Sequence, residues 1–197
     1  MLICLHGLPG VGKTTLANKI KEITGGKILG SNYIRRQIFG CDAYTCANVP
    51  LMPFTDQEIL LSYRTILYCA ELVLKCDRTV IMDATFQKRM FVNMAKEIAK
   101  KTGQPFILVK VVCDEAVCKE RMDKRVAEKK SDSIVGYAHH LEVKEKIFED
   151  YPEVDYTYDS SFENGDQMKK LEKFLQKYSS KKASSIKSSQ SGQFSAI

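Results

Sequence analysis

Along the chain, short apolar runs alternate with longer segments whose apolar residues recur at helical spacing. Leu2–His6 is a continuous run that predicts a buried strand. Leu16, Ile20 and Ile23 then share one face of a predicted helix over Lys13–Thr24, which Gly25 and Gly26 stop. Lys27–Gly30 predicts a short second strand. Thr55-Asp56-Gln57-Glu58 has the spacing of a capping box, so a long helix is predicted over 55–75, with Ile59, Tyr63, Ile66 and Ala70 on its buried face. TVIMD at 79–83 predicts a buried strand, 90–101 a helix closed by Gly103, and 106–113 the longest β-run. Helices are predicted near 115–129 and 133–150, with VDYTYD as a last strand.

Strands alternating with helices in this way predict an α/β fold built on a parallel sheet of about five strands with right-handed crossovers. Ligands of such sheets sit at the carboxyl ends of the strands. From Ser179 the composition collapses to mostly Ser, Lys, Gln and Gly, too little apolar content to offset the entropy of ordering. The expected organisation is one domain over 1–178 and a disordered tail over 179–197. At 197 residues with 44% hydrophobic and 27% charged positions, the chain is long enough for a single core, and disorder throughout is excluded.

Charge changes the picture little. The net charge is +6, but Lys181, Lys182 and Lys187 lie in the tail segment, so the body is mildly basic. That suits a bound polyphosphate; a nucleic-acid partner is permitted but not indicated. The seven cysteines fall in apolar runs without framework spacing and read as reduced core residues of a cytoplasmic protein. His139 and His140 are adjacent and would diverge by about 100° on a helix, a poor start for a zinc site. MLICL is too short for a signal-peptide core, and no run reaches the ~18 apolar residues of a spanning helix, so no membrane role is expected.

The chemistry is concentrated in GLPGVGKT, residues 7–14, which satisfies G-x-x-x-x-G-K-[ST] between a predicted strand and a predicted helix. A glycine-rich turn with a snorkelling lysine would supply the same letters without a ligand. The flanking strand and helix favour the phosphate loop, because they aim backbone N–H groups and a helix N-terminus at one point. Lys13 then neutralises the β- and γ-phosphates of a bound nucleotide, and the Thr14 hydroxyl ligates Mg²⁺. Gly7, Leu8, Pro9, Gly10, Val11, Gly12, Lys13, Thr14 and Thr15 form the expected nucleotide-binding set.

Asp83 ends a predicted strand at the same sheet edge. Its carboxylate can hold Mg²⁺, accept an acceptor's proton, or simply cap the next helix. Arg121, Arg125 and Lys129 recur every four residues beside the apolar stripe of Cys118, Met122 and Val126. They form either a lid over the polyphosphate or a solvated face, since Glu120, Asp123 and Glu128 interleave.

Together these residues bring the chain close to a known family. GLPGVGKTT, SNYIRRQIFG, TVIMDATF and the ERMDKR segment with the following SDSIVGY resemble the small P-loop kinases that group with polynucleotide 5′-kinases and zeta-toxin-like kinases, over about residues 1–161. The resemblance implies a three-layer P-loop NTPase of kinase type with an arginine-bearing lid. It implies ATP·Mg²⁺ as cofactor, Arg35 as an acceptor-binding arginine, and Arg121 and Arg125 as lid arginines. Lys13, Arg35, Asp83, Arg121 and Arg125 are accordingly the expected catalytic set, with Thr14 and Asp83 as metal ligands. The family's aspartate at the acceptor site falls on Asn32, and an amide accepts no proton from a hydroxyl.

Three resolutions of that departure stand open. Asp83 or Asp42 supplies the carboxylate; the acceptor is an already ionised phosphate or sulfate, as in nucleotide and adenylylsulfate kinases; or the chain binds ATP as a regulatory module without transfer. General-base help is worth about 10²–10⁴ in rate, less than the electrostatic contribution of the loop and arginines, so its loss does not exclude a kinase. The expected function is transfer of the ATP γ-phosphate to an unidentified small-molecule or polynucleotide acceptor. A nucleic-acid adaptor that uses its basic tail is the competing reading from another class.

Overall fold

The computed structural model describes residues 1–39, 54–128, 136–163 and 165–190. In chain order these form β1 (Leu2–His6), α1 (Lys13–Thr24), β2 (Lys27–Gly30), α2 (Ser31–Phe39), α3 (Asp56–Lys75) and β3 (Val80–Asp83). Then follow α4 (Arg89–Lys101), β4 (Phe106–Val112), α5 (Glu115–Glu128), α6 (Tyr137–Lys146), β5 (Tyr156–Asp159) and α7 (Gly165–Gln190).

The five strands make one parallel sheet in the order β2-β3-β1-β4-β5, the expected P-loop NTPase topology. Alternation along β1 divides the core in two. Ile3 and Leu5 face α1, α5 and α7, packing with Leu16, Ile20, Met122 and Leu171. Leu2 and Cys4 face α3 and α4, packing with Ile66, Leu74, Val92 and Ala95. Helices on both faces of a wholly buried β1 make three layers, which is why its sequence reads as an unbroken apolar run.

The capping box at Thr55 is formed: its hydroxyl accepts from Glu58 N at 3.2 Å and the Glu58 carboxylate accepts from Thr55 N at 2.7 Å. Two helices, α2 and α7, stand where no helix was expected. Several boundaries also move inward. β3 starts at Val80, one residue inside the expected strand, with the Thr79 carbonyl accepting from Lys27 N of β2 at 2.8 Å. β4 stops at Val112, and α6 ends at Lys146, short of the expected 150, where the N–H groups of Ile147 and Phe148 both return to the Val143 carbonyl. Within α7, the described side chains that tie it to the core are Met168, Leu171, Phe174, Leu175 and Tyr178.

The cysteines need a correction. Cys4 and Cys118 are buried, but Cys69 and Cys113 are half-buried and Cys76 is exposed at the end of α3, where a helix C-cap faces water. Cys41 and Cys46 lie outside the described residues. No described helix is long and apolar enough to cross a membrane.

Candidate active site

β1 lies between β3 and β4, so the loop that leaves it starts from the most constrained strand of the sheet. Gly10 and Gly12 have φ of 87° and 88°, backbone that glycine adopts without penalty, and Gly12 is the residue from which α1 starts. At Gly10 space matters as much as φ. A Cβ there would run into Met122 Sδ and Cγ, because α5 packs directly on the loop.

Lys13 opens α1 and turns back into the loop, its Nζ donating to the carbonyls of Gly7 at 2.9 Å and Leu8 at 2.7 Å. Burial is the main cause that lowers its pKa to about 8, with Asp83 opposing and Arg125 adding to the shift. At neutral pH the ammonium is therefore charged and already positioned. Such a loop, with glycine backbone, a buried cation and a helix N-terminus, fits a polyphosphate.

Asp83 stands beside Leu5 in the sheet register, and its Oδ2 accepts from Thr14 Oγ1 at 2.7 Å. The helix-cap alternative fails, since Lys88 holds the N-cap position of α4. A hydroxyl and a carboxylate in contact are hard oxygen donors that suit Mg²⁺, so the pair fits the metal expected of such a site.

The turn after Asp83 is held from three sides. Phe86 is fully buried with φ of 48°, a strained value for an aromatic residue. Its N–H donates to the Tyr63 hydroxyl at 2.8 Å, its carbonyl lies 3.2 Å from His6 Nδ1, and Thr85 O accepts from Gly7 N at 3.3 Å. Tyr63 stacks on Phe91 with ring centroids 3.7 Å apart, and burial pushes its phenol up to about 12. Tyr63→Phe should therefore cost about 1–3 kcal/mol, the penalty of a buried N–H left without an acceptor. The midpoint of urea unfolding at unchanged m-value measures it.

α5 and α6 close over the loop. Cys118 and Met122 seat α5 on Gly10, Glu115 receives hydrogen bonds from Tyr137 and Lys144 of α6, and His140 Nδ1 donates to Pro9 O at 2.7 Å. The two expected lid arginines differ in what they meet. Arg121 is exposed and donates to the carbonyls of Ser160 at 2.7 Å and Ser161 at 3.1 Å, so it braces the turn after β5. That turn in turn supports the phosphate loop, with Ser160 Oγ donating to Val11 O at 2.7 Å. Arg125 is half-buried, its buried Nε has no hydrogen-bond partner, and burial lowers its pKa. Lys129 lies outside the described residues.

These elements contribute to one cavity of about 1160 Å³, whose lining includes the phosphate loop, Asp83, Arg121 and Arg125 together with Asn32, Arg35, Gln87 and His139. Arg35 lies 5.3 Å from the Phe54 ring centroid, and its buried Nε has no hydrogen-bond partner. Asp42, an expected source of a replacement carboxylate, lies outside the described residues, as do 40–53. His139, His140 and Gln87 are site residues that the sequence reading did not assign. The adjacent histidines were the available signal, weighed there only as zinc ligands.

A parallel sheet in this strand order, with a glycine-rich phosphate loop after its central strand, defines a P-loop NTPase of kinase-like topology. The chain belongs to the AAA domain family, whose model matches residues 2–149. It is similar to an uncharacterized protein of Mycobacterium bovis, 26% identical over 108 residues that make up 54% of this chain. The chain spans only 22% of the length of that curated relative. Among solved structures, Chaetomium thermophilum Kti12 in complex with ADP-AlF3 superposes with a TM-score of 0.67 at 16% identity, covering 90% of this chain and 98% of that one. The Mycobacterium tuberculosis APS kinase CysC in complex with AMPPNP and APS gives 0.65 at 15% identity, over 89% and 96%. At such identities these likenesses establish the shared fold.

Proposed function

We propose that this chain is an ATP·Mg²⁺-dependent phosphotransferase that moves the γ-phosphoryl group to a small-molecule or polynucleotide acceptor. The observation that carries the reading is the single cavity in which Lys13, Thr14 and Asp83 meet Arg35 and Arg125, with room for a nucleotide and a second molecule. The nucleotide complexes of Kti12 and CysC, which share the fold, support it. Lys13 and the loop N–H groups hold the polyphosphate, Thr14 and Asp83 hold Mg²⁺, and Arg125 meets the charge that develops on the transferring oxygens. Mg²⁺, when bound there, would supply positive charge beside the phosphate oxygens.

Incubating the protein with labelled ATP and a panel of nucleotides, oligonucleotide 5′ ends and small alcohols tests the reading. Label should pass to one of these classes. ATP binding with no transfer to any of them, or to water, would return the chain to the regulatory-module reading.

A second reading keeps the same machinery but takes an ionised phosphate or sulfate as acceptor. It is favoured by the unpartnered, buried Nε of Arg35. Asn32→Asp separates the two: beside an ionised acceptor the new charge should raise KM, whereas a hydroxyl acceptor should turn over at least as fast as in the wild type.

A further inference from the structure

We propose that His139 is the proton acceptor for the acceptor hydroxyl, supplying from α6 the base that Asn32 does not provide from α2. The inference rests on the phosphotransferase reading and narrows its substrate to a hydroxyl compound that also carries an anionic group for Arg35.

Three observations converge on His139. First, its side chain lines the cavity that contains Thr14, Asp83, Asn32 and Arg35. Second, its neighbour His140 is buried and donates to Pro9 O at 2.7 Å, which fixes the first turn of α6 against the phosphate loop. Successive helical side chains diverge by about 100°, so a histidine next to one that grips the loop is turned away from Pro9. Third, Glu142 lies one turn along the helix with Oε2 3.7 Å from His139 Nδ1. A carboxylate on the Nδ1 side favours the tautomer that leaves Nε2 as the free, basic nitrogen.

The charged groups around His139 agree with this role. Burial is the main influence and lowers its pKa below the ordinary histidine value; Glu142 opposes it, while Arg35 from α2 and His140 on the same helix lower it further. The ring is therefore neutral at pH 7 and able to take a proton. Of the carboxylates among the described cavity residues, Asp83 already accepts the Thr14 hydroxyl on the metal-binding side and Glu163 pairs with Lys19.

The step balances without a further reagent. The hydroxyl oxygen bonds to the γ-phosphorus while the bond from that phosphorus to the β,γ-bridging oxygen breaks, its electron pair leaving on ADP. The hydroxyl proton passes to His139 Nε2 and then to solvent.

Water serves as the probe acceptor, so the test is Mg·ATP hydrolysis by the full chain across pH, with a ¹³C-histidine NMR titration beside it. In the wild type the rate should rise with pH through an inflection below about 6.5 and then level off, and the NMR pKa of His139 should match that inflection. His139→Gln should lower the plateau by about 10²–10⁴ and remove the inflection, while the melting-temperature rise with Mg·ATP persists. Glu142→Gln should move the inflection to lower pH, because it removes a described neighbour whose charge favours the protonated ring. If His139→Gln hydrolyses ATP at the wild-type rate with the same pH profile, His139 is not the base and the phosphotransferase reading survives. If the wild type binds Mg·ATP but transfers phosphate neither to water nor to any member of the acceptor panel, both fall. The NMR pKa is read on the wild type, so it decides even if the variant fails to fold; a ring still protonated above about pH 7.5 also overturns the proposal.

Discussion

Lys13→Ala is expected to remove the rise in melting temperature that Mg·ATP produces and to lower phosphoryl transfer by about 10³-fold. A ligand that binds only the native state stabilises it by RT ln(1 + [L]/Kd), about 2.7 kcal/mol at a hundredfold excess over Kd. In a chain of this length that corresponds to about 5–10 °C. The lysine is the buried cation of the phosphate loop, and no other described lysine donates to its carbonyls, so nothing nearby replaces it. Differential scanning fluorimetry with and without Mg·ATP measures the first effect, and release of labelled phosphate the second. A shift as large in the variant as in the wild type would place the nucleotide elsewhere.

Arg125→Ala should leave ATP affinity within about tenfold of wild type while kcat falls by about 10³–10⁵, the range seen when an arginine that meets transition-state charge is lost. The split follows from geometry. Arg125 has a buried, unpartnered Nε in the cavity, whereas Arg121, one turn earlier, is engaged with two backbone carbonyls. Arg121→Ala should thus act mainly through the Ser160–Ser161 turn, with a smaller loss of turnover than Arg125→Ala. Arg125→Lys should recover only part of the rate, because an ammonium lacks the planar fork of donors. Steady-state kinetics with ATP varied decides it: a pure loss of ATP affinity at unchanged kcat would make Arg125 a binding residue, and no change would make it part of a solvated face.

How far the site could be read in advance depended on the distance over which each feature is specified. The phosphate loop is local: its glycines, lysine and threonine sit at fixed spacing between a strand and a helix, and the letters suffice. Asp83 was nearly as legible, because a strand ending in a carboxylate delivers it to the sheet edge. The partners of Arg121 were not, since its fork meets carbonyls 39 and 40 residues away, and the histidine that grips Pro9 comes from 131 residues along the chain. The unforeseen helices have different causes. α7 carries Met168, Leu171, Leu175 and Tyr178 at helical spacing, a signal that the change of composition after Ser179 obscured. α2 is nine residues long and begins directly where β2 ends, too short for periodicity to separate it from an acceptor loop.

The adjacency of β2 and β3 has a consequence for how such a protein can change. The described residues between them, 31–39 and 54–79, lie outside the sheet, and Asn32 and Arg35 are among them. The pairing of β1 with β3 beneath the phosphate loop does not depend on how long that connection is. Lengthening a flexible connection twofold adds only about 0.6 kcal/mol of closure entropy. Insertions or deletions in this connection should therefore leave the pairing of β2 with β3 and the placement of the phosphate loop largely unchanged.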